Sequence, residues 1–285
     1  MQTMLASWVP RAGPLQRLDL GAYLRDSSSV ALEPAQRLRR LAVYLDEAHC
    51  VQGPSAAARW EVFKRIYERA GVLSNGSPSV LDSAAITALG LVSSALPDDG
   101  SRARIWKVAL TSARTACEAD SGGPDPWVTL GMVLYEGEPS HLGDALAAFD
   151  RALGIDSDLP WARLYRAHCL HDLQRWKEAA SAYALVRSHD FPSDVAWRAA
   201  LAKEQRALCL MKSGAREEAA SMFIEVLDAR EAAIARGEDS LSSAWLFVPP
   251  YALVEAAEGV LRPELQARVR RLVDSFDEWQ ALGRD

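Results

Sequence analysis

Apolar residues recur at three- and four-residue spacing along most of the chain, the period of one face of an α-helix, and breakers cut the pattern into paired segments. The strongest regularity lies between Trp127 and Val226. There a small residue, an aromatic and another small or β-branched residue occupy Ala145, Phe149 and Ala152, then Ala179, Tyr183 and Val186, then Ala219, Phe223 and Val226. The first two sets stand 34 residues apart and the next two 40. A plainer copy, Ala109, Ala113 and Ala116, precedes the first set by 36 residues, with alanine in the aromatic slot. One amphipathic helix cannot bury such a stripe alone, so the period predicts helix-turn-helix pairs stacked in series.

Taken in order, residues 1–30 hold turn formers and the run Ser27-Ser28-Ser29, and read as an N-terminal arm, flexible or docked on the rest. Pro34 suits a first helical turn, after which Leu38, Leu41, Leu45 and Ala48 mark one face. Beyond Gly53-Pro54, Trp60, Phe63, Tyr67 and Ala70 mark the face of a partner helix. A further helix ends at Pro97-Asp98-Asp99-Gly100, and its partner begins near Arg102. The clearest repeats span 124–236, with a helix from Val195 to Lys212 capped by Gly214 and a second helix running toward Arg236. Residues 31–240 thus form the array. Residues 241–285 add a hairpin, Tyr251 to Val260 and Pro263 to Leu282, whose last helix puts Leu265, Val269, Leu272, Phe276 and Trp279 on one face, as a terminal cap requires.

Two local motifs sharpen the period. Trp127-x-x-Leu130-Gly131-x-x-Leu134 opens one repeat, and Arg175-Trp176-Lys177-Glu178-Ala179 forms the turn of the next. The first resembles the W-x2-L-G-x2-Y opening of the tetratricopeptide repeat (TPR) family, with leucine for tyrosine and Tyr135 alongside, and the second is similar to that family's D-Y-x-E-A turn. The resemblance implies an all-α solenoid coiled as a right-handed superhelix. It also implies a non-enzymatic scaffold or adaptor whose first helices line a concave groove for a protein or peptide. Counted by the alanine register, the groove positions are Val128, Met132 and Tyr135 in one repeat. The next repeat offers Trp161, Leu164, His168 and His171, and the following one Leu201, Glu204, Leu208 and Met211. The lysines and asparagines with which some relatives clamp a peptide carboxylate are replaced by Val128 with Met132, Leu164 with His168, and Glu204 with Leu208. The groove is therefore apolar and histidine-bearing, suited to an amphipathic helix or an extended apolar peptide. The alternatives are cover by the chain's own arm or C-terminal helices, an arm-autoinhibited regulatory or sensory module, and self-association.

Composition narrows this further. With 285 residues, 49% of them hydrophobic, the chain has ample core material, and a net charge of −6 with a pI near 5.5 argues against nucleic acid as a partner. No apolar run approaches the ~20 residues of a membrane span, and the N-terminus makes a poor signal peptide; a cytoplasmic protein is expected. Cys50, Cys117, Cys169 and Cys209 are scattered without a CxxC pair, and Cys169 and Cys209 share one repeat position, which reads as reduced core packing. His168-Cys169-x-His171-Asp172 is the sharpest catalytic candidate, since histidines three apart on a helix could hold a metal of a small hydrolase. No HExxH, paired carboxylate or phosphate loop accompanies it, and His141 and His189 fall in turns. No cofactor, no metal and no catalytic residue are expected.

Overall fold

The computed structural model describes Ala85 and residues 99–137, 141–191, 197–235 and 250–282. The N-terminal arm and the hairpin expected between Pro34 and Ala70 lie outside them. Among the described residues every regular element is helical, and the chain divides into two compact units, Met1–Ser157 and Asp158–Asp285.

In the first unit, α1 (Asp99–Ala119) and α3 (Leu142–Ile155) both pack on α2 (Pro124–Tyr135). Ala109, Ala113 and Ala116 give α1 a flat, fully buried strip, and Ala145, Phe149 and Ala152 do the same for α3. The link between α1 and α2 is short because Asp120 accepts a hydrogen bond from the Gly123 N–H at 2.8 Å and Pro124 then begins α2, where a missing N–H costs nothing. At the other end of α2, Trp106 of α1 donates its indole N–H to the Val133 carbonyl at 2.9 Å. That carbonyl is among the last four of the helix, which lack an intrahelical donor, so the indole closes the end of α2 as it fills space.

The second unit runs α4 (Pro160–Asp172), α5 (Trp176–Tyr183), a 3-10 turn (Ser188–Asp190), α6 (Trp197–Lys212), α7 (Arg216–Ala235), α8 (Tyr251–Gly259) and α9 (Pro263–Leu282). Each helix packs on the next through α4, α5, α6 and α7, while α8 rests on α6 and α7, and α9 on α7 and α8. The turns α4–α5 and α6–α7 are the same structure 40 residues apart. In the first, the Gln174 N–H bonds the His171 carbonyl (2.8 Å) and the Arg175 N–H bonds that of Leu170 (2.9 Å); in the second, Gly214 bonds Met211 (3.1 Å) and Ala215 bonds Leu210 (2.9 Å). Both place a residue at positive φ, Gln174 at 58° and Gly214 at 92°, the left-handed C-terminal cap expected for Gly214.

One element is shorter than its pattern. The stripe Ala179, Tyr183 and Val186 predicts a helix through Val186, yet α5 stops at Tyr183 and Val186 lies half-buried in the following turn. The reason lies downstream. Asp190, in the 3-10 turn, accepts bonds from Arg187 at 2.9 Å and from Arg163 of α4 at 3.3 Å, which pull the chain back toward α4 after two turns of helix. Hydrogen bonding and charge from Arg187 hold the Asp190 carboxyl below the ordinary carboxylate range.

Cys117, Cys169 and Cys209 are buried, the last two completely so at equivalent positions of α4 and α6. Burial, reinforced by the charge of Asp172, pushes the Cys209 thiol up to about 12.

Candidate functional site

Helix α4 carries most of the chemistry that the sequence singles out. Pro160 opens it, Ala162, Ala167, Cys169 and Leu170 form its buried strip, and the remaining positions hold Trp161, Tyr165, His168 and His171. Trp161 is half-buried and fixed from three directions. Phe191 meets its ring edge-on at 5.4 Å, Tyr165 stands one turn along at 6.4 Å, and the Arg198 guanidinium of α6 lies over its face at 5.0 Å. Arg198 also faces the ring of Trp197 at 4.8 Å, so a buried cation is flanked by two indoles.

His168 points away from solvent. Its Nδ1 lies 2.7 Å from the Tyr183 hydroxyl of α5, and Tyr165 and Tyr183 meet its ring edge-on at 5.8 and 5.5 Å. Burial lowers the His168 pKa from the ordinary 6.5 to about 4, partly opposed by the charge of Asp172, with His171 and Arg198 adding to the depression. The same burial raises the Tyr183 hydroxyl well above its ordinary value. At neutral pH this is a neutral imidazole hydrogen-bonded to a neutral phenol, a locked packing pair between α4 and α5.

His171, three residues along, is partly exposed, and its ring also meets that of Tyr183 edge-on at 6.5 Å. Its Nδ1 is 2.9 Å from Asp172, and Trp176 meets its ring edge-on at 5.3 Å. The two histidines therefore use their Nδ1 atoms on different partners, and among the described residues no group of three histidine, cysteine or carboxylate side chains is placed to hold a metal ion.

The remaining positions expected to line a groove are more buried than helical slot counting implies. Met132 is completely buried, Val128, Leu201 and Leu208 are buried, and Leu164 is 2% exposed. Glu204, 1% exposed, belongs to the core, where Arg230 of α7 donates to its carboxylate from Nε at 3.1 Å and Nη2 at 2.7 Å. Met211 is half-buried, and a β-carbon built on Gly259 of α8 would stand 3.3 Å from its sulfur. The α8 helix thus lies against the Met211 position of α6. In the first unit Tyr135 is half-buried at the end of α2. Trp161, His171 and Met211 are the positions of the second unit that keep appreciable exposure.

Arg198 and Arg230, the largest fully buried side chains, escaped the sequence reading. For Arg230 the signal was present. It continues the buried stripe Ala219, Phe223 and Val226 at the next four-residue step, where an arginine has to find a buried carboxylate. For Arg198 the adjacent Trp197 was the only local hint.

Among known proteins, a tetratricopeptide repeat family model matches residues 140–204. No curated protein matches the chain. Among solved structures, YrrB, a TPR protein with an unusual peptide-binding site, superposes with a TM-score of 0.48 at 17% identity over 79% of this chain and 96% of its own. TTC0263, a thermophilic TPR protein of Thermus thermophilus, gives 0.42 at 16% identity over 68% of this chain and 90% of its own. No helix of the described residues is long and apolar enough to cross a membrane. The matched segment contains α3, the α4–α5 hairpin and the first half of α6, with its two small-aromatic-small stripes, and over these residues the chain is similar to tetratricopeptide repeats.

Proposed function

We propose that this protein is a non-enzymatic adaptor that captures a protein or peptide partner on the first-helix face of its repeats, with Trp161 and His171 of α4 as the principal contacts of the second unit. The observation that carries the reading is the mounting of Trp161. A part-exposed indole held by Phe191, Tyr165 and Arg198 loses little freedom when a partner covers it, which is what makes an aromatic anchor effective at an interface. His171, braced by Trp176 and Asp172, supplies a polar contact nearly three turns further along the same helix. The absence of a basic clamp at Leu164 with His168 favours an apolar or amphipathic segment over a free carboxylate terminus.

The test is affinity capture with the full chain as bait, wild type beside Trp161→Ala/His171→Ala, with circular dichroism confirming equal helicity. Expected is a loss of tenfold or more in the amount of the wild-type partner retained. Equal retention by a double variant of unchanged helicity would overturn the assignment of this face. A second copy of the chain among the captured species would identify self-association as the use of the surface.

A further inference from the structure

The hairpin α8–α9 holds the last repeat on both of its helices. On α6 it engages two consecutive residues: a β-carbon built on Gly259, the last residue of α8, would stand 3.3 Å from the Met211 sulfur, and Glu255 of α8 pairs with Lys212. On α7 the hold is ionic. Arg268 of α9 donates from Nε to one Glu231 oxygen at 3.1 Å and from Nη2 to the other at 2.6 Å, and the same Nη2 reaches Asp228 at 2.6 Å. Asp228 and Glu231 stand three residues apart on α7, so one planar guanidinium spans both carboxylates.

The apolar anchorage of α8 is thin. Among its described side chains Ala252, Leu253 and Ala256 are buried, Leu253 being the only large one of the three, while Tyr251 and Val254 are exposed. Segments with few buried apolar contacts are the ones that open without unfolding the rest of a domain. The ionic contacts that hold this hairpin, Arg268 above all, are themselves partly exposed and open to competition from water and salt.

We infer that the hairpin α8–α9 is a built-in occupant of the Met211 end of the first-helix face, latched by the Arg268 fork on α7 and released without unfolding of the repeats when that fork is broken. The α8 helix is amphipathic, the class of ligand expected for this face. While it is seated, Met211 is withheld from any partner. A partner held by α4 alone binds the closed form, and one that also needs α6 must displace α8. Only this consequence rests on the function proposed above; the seat itself is tested without a partner, so the two fail separately.

Hydrogen peroxide oxidation of the full chain, followed by peptide mass spectrometry, reads the seat through conversion of Met211 to its sulfoxide. Cys169 and Cys209, completely buried in α4 and α6, report unfolding of the repeats through alkylation by iodoacetamide in a parallel sample. In Arg268→Glu, Met211 should oxidise about fivefold faster than in the wild type with both cysteines still protected, and adding Glu231→Arg should bring the rate back to within about twofold. An unchanged Met211 rate, or no recovery with Glu231→Arg, would show that this charge contact does not hold the hairpin and would overturn the inference. So would cysteines that become reactive together with Met211, since hairpin and repeats would then open as one. Should Arg268→Glu not fold, the wild type decides: raising sodium chloride from about 0.05 M to about 1 M screens the fork and should at least double the Met211 rate, and a rate independent of salt would overturn the latch.

Discussion

A β-carbon built on Gly131 would lie 2.6 Å from Cε1 of Phe149, with two more ring carbons of Phe149 within 2.9 Å. The glycine of α2 and the aromatic of α3 are one contact, read from opposite ends of the repeat. Gly131→Ala should therefore destabilise the protein by about 1–2 kcal/mol: overpacking of a buried ring costs about 1–3 kcal/mol and outweighs the gain of up to about 1 kcal/mol from replacing glycine in a helix. Urea denaturation of Gly131→Ala, Phe149→Leu and the double variant closes a cycle. The double variant should be more stable than the sum of the singles, and strict additivity would show that the two residues do not share this space.

The paired turns give a prediction of opposite signs. Gln174 holds φ 58° and Gly214 φ 92°, and a β-carbon on Gly214 would meet nothing within 4 Å. Backbone conformation alone then decides. Gln174→Gly should stabilise by about 0.5–1 kcal/mol and Gly214→Ala should destabilise by about 1 kcal/mol, the usual range for a left-handed residue with a side chain. Melting temperatures that move the same way for both substitutions would contradict the equivalence of the two turns.

His168 predicts a pH dependence. The unfolded chain takes up a proton near 6.5, whereas the folded one resists until about 4, so the unfolded state binds more protons between these values. Stability is full above pH 6.5, falls as the pH drops toward 4, and is not reduced further by this group below it. The loss is on the order of 3 kcal/mol over that window. Chemical denaturation at pH 7.5, 5.5 and 4.2 should show this fall, and His168→Gln, which cannot titrate, should show a markedly flatter one. Parallel profiles for the two proteins would mean that other groups carry the effect.

The helices of the clear repeats were legible because burial there follows local period. The stripes Ala145-Phe149-Ala152 and Ala219-Phe223-Val226 occupy the buried faces of α3 and α7, Pro263 to Leu282 is a single helix, and Gly214 caps α6. The end of α5 was not legible, since it is set by Asp190 reaching Arg163, a residue 27 positions earlier. Exposure of the candidate groove was legible only in part. Slot counting gives the angle of a side chain about its own helix, but Leu164, His168 and Glu204 share that angle with their half-exposed neighbours and are buried all the same. What covers them comes from other helices, as Tyr183 of α5 does for His168 and Arg230 of α7 for Glu204.

By itself, then, the sequence determined the helices, their pairing into repeats and the cap at Gly214, because each follows from a spacing of three or four residues or from the conformational freedom of one glycine. Tertiary structure alone decided which first-helix residues reach solvent, where His168 sends its nitrogen, and that Glu204 and Arg230 lie together inside. These depend on distances between side chains 15 to 26 residues apart in the chain, which helix packing sets and local periodicity does not encode.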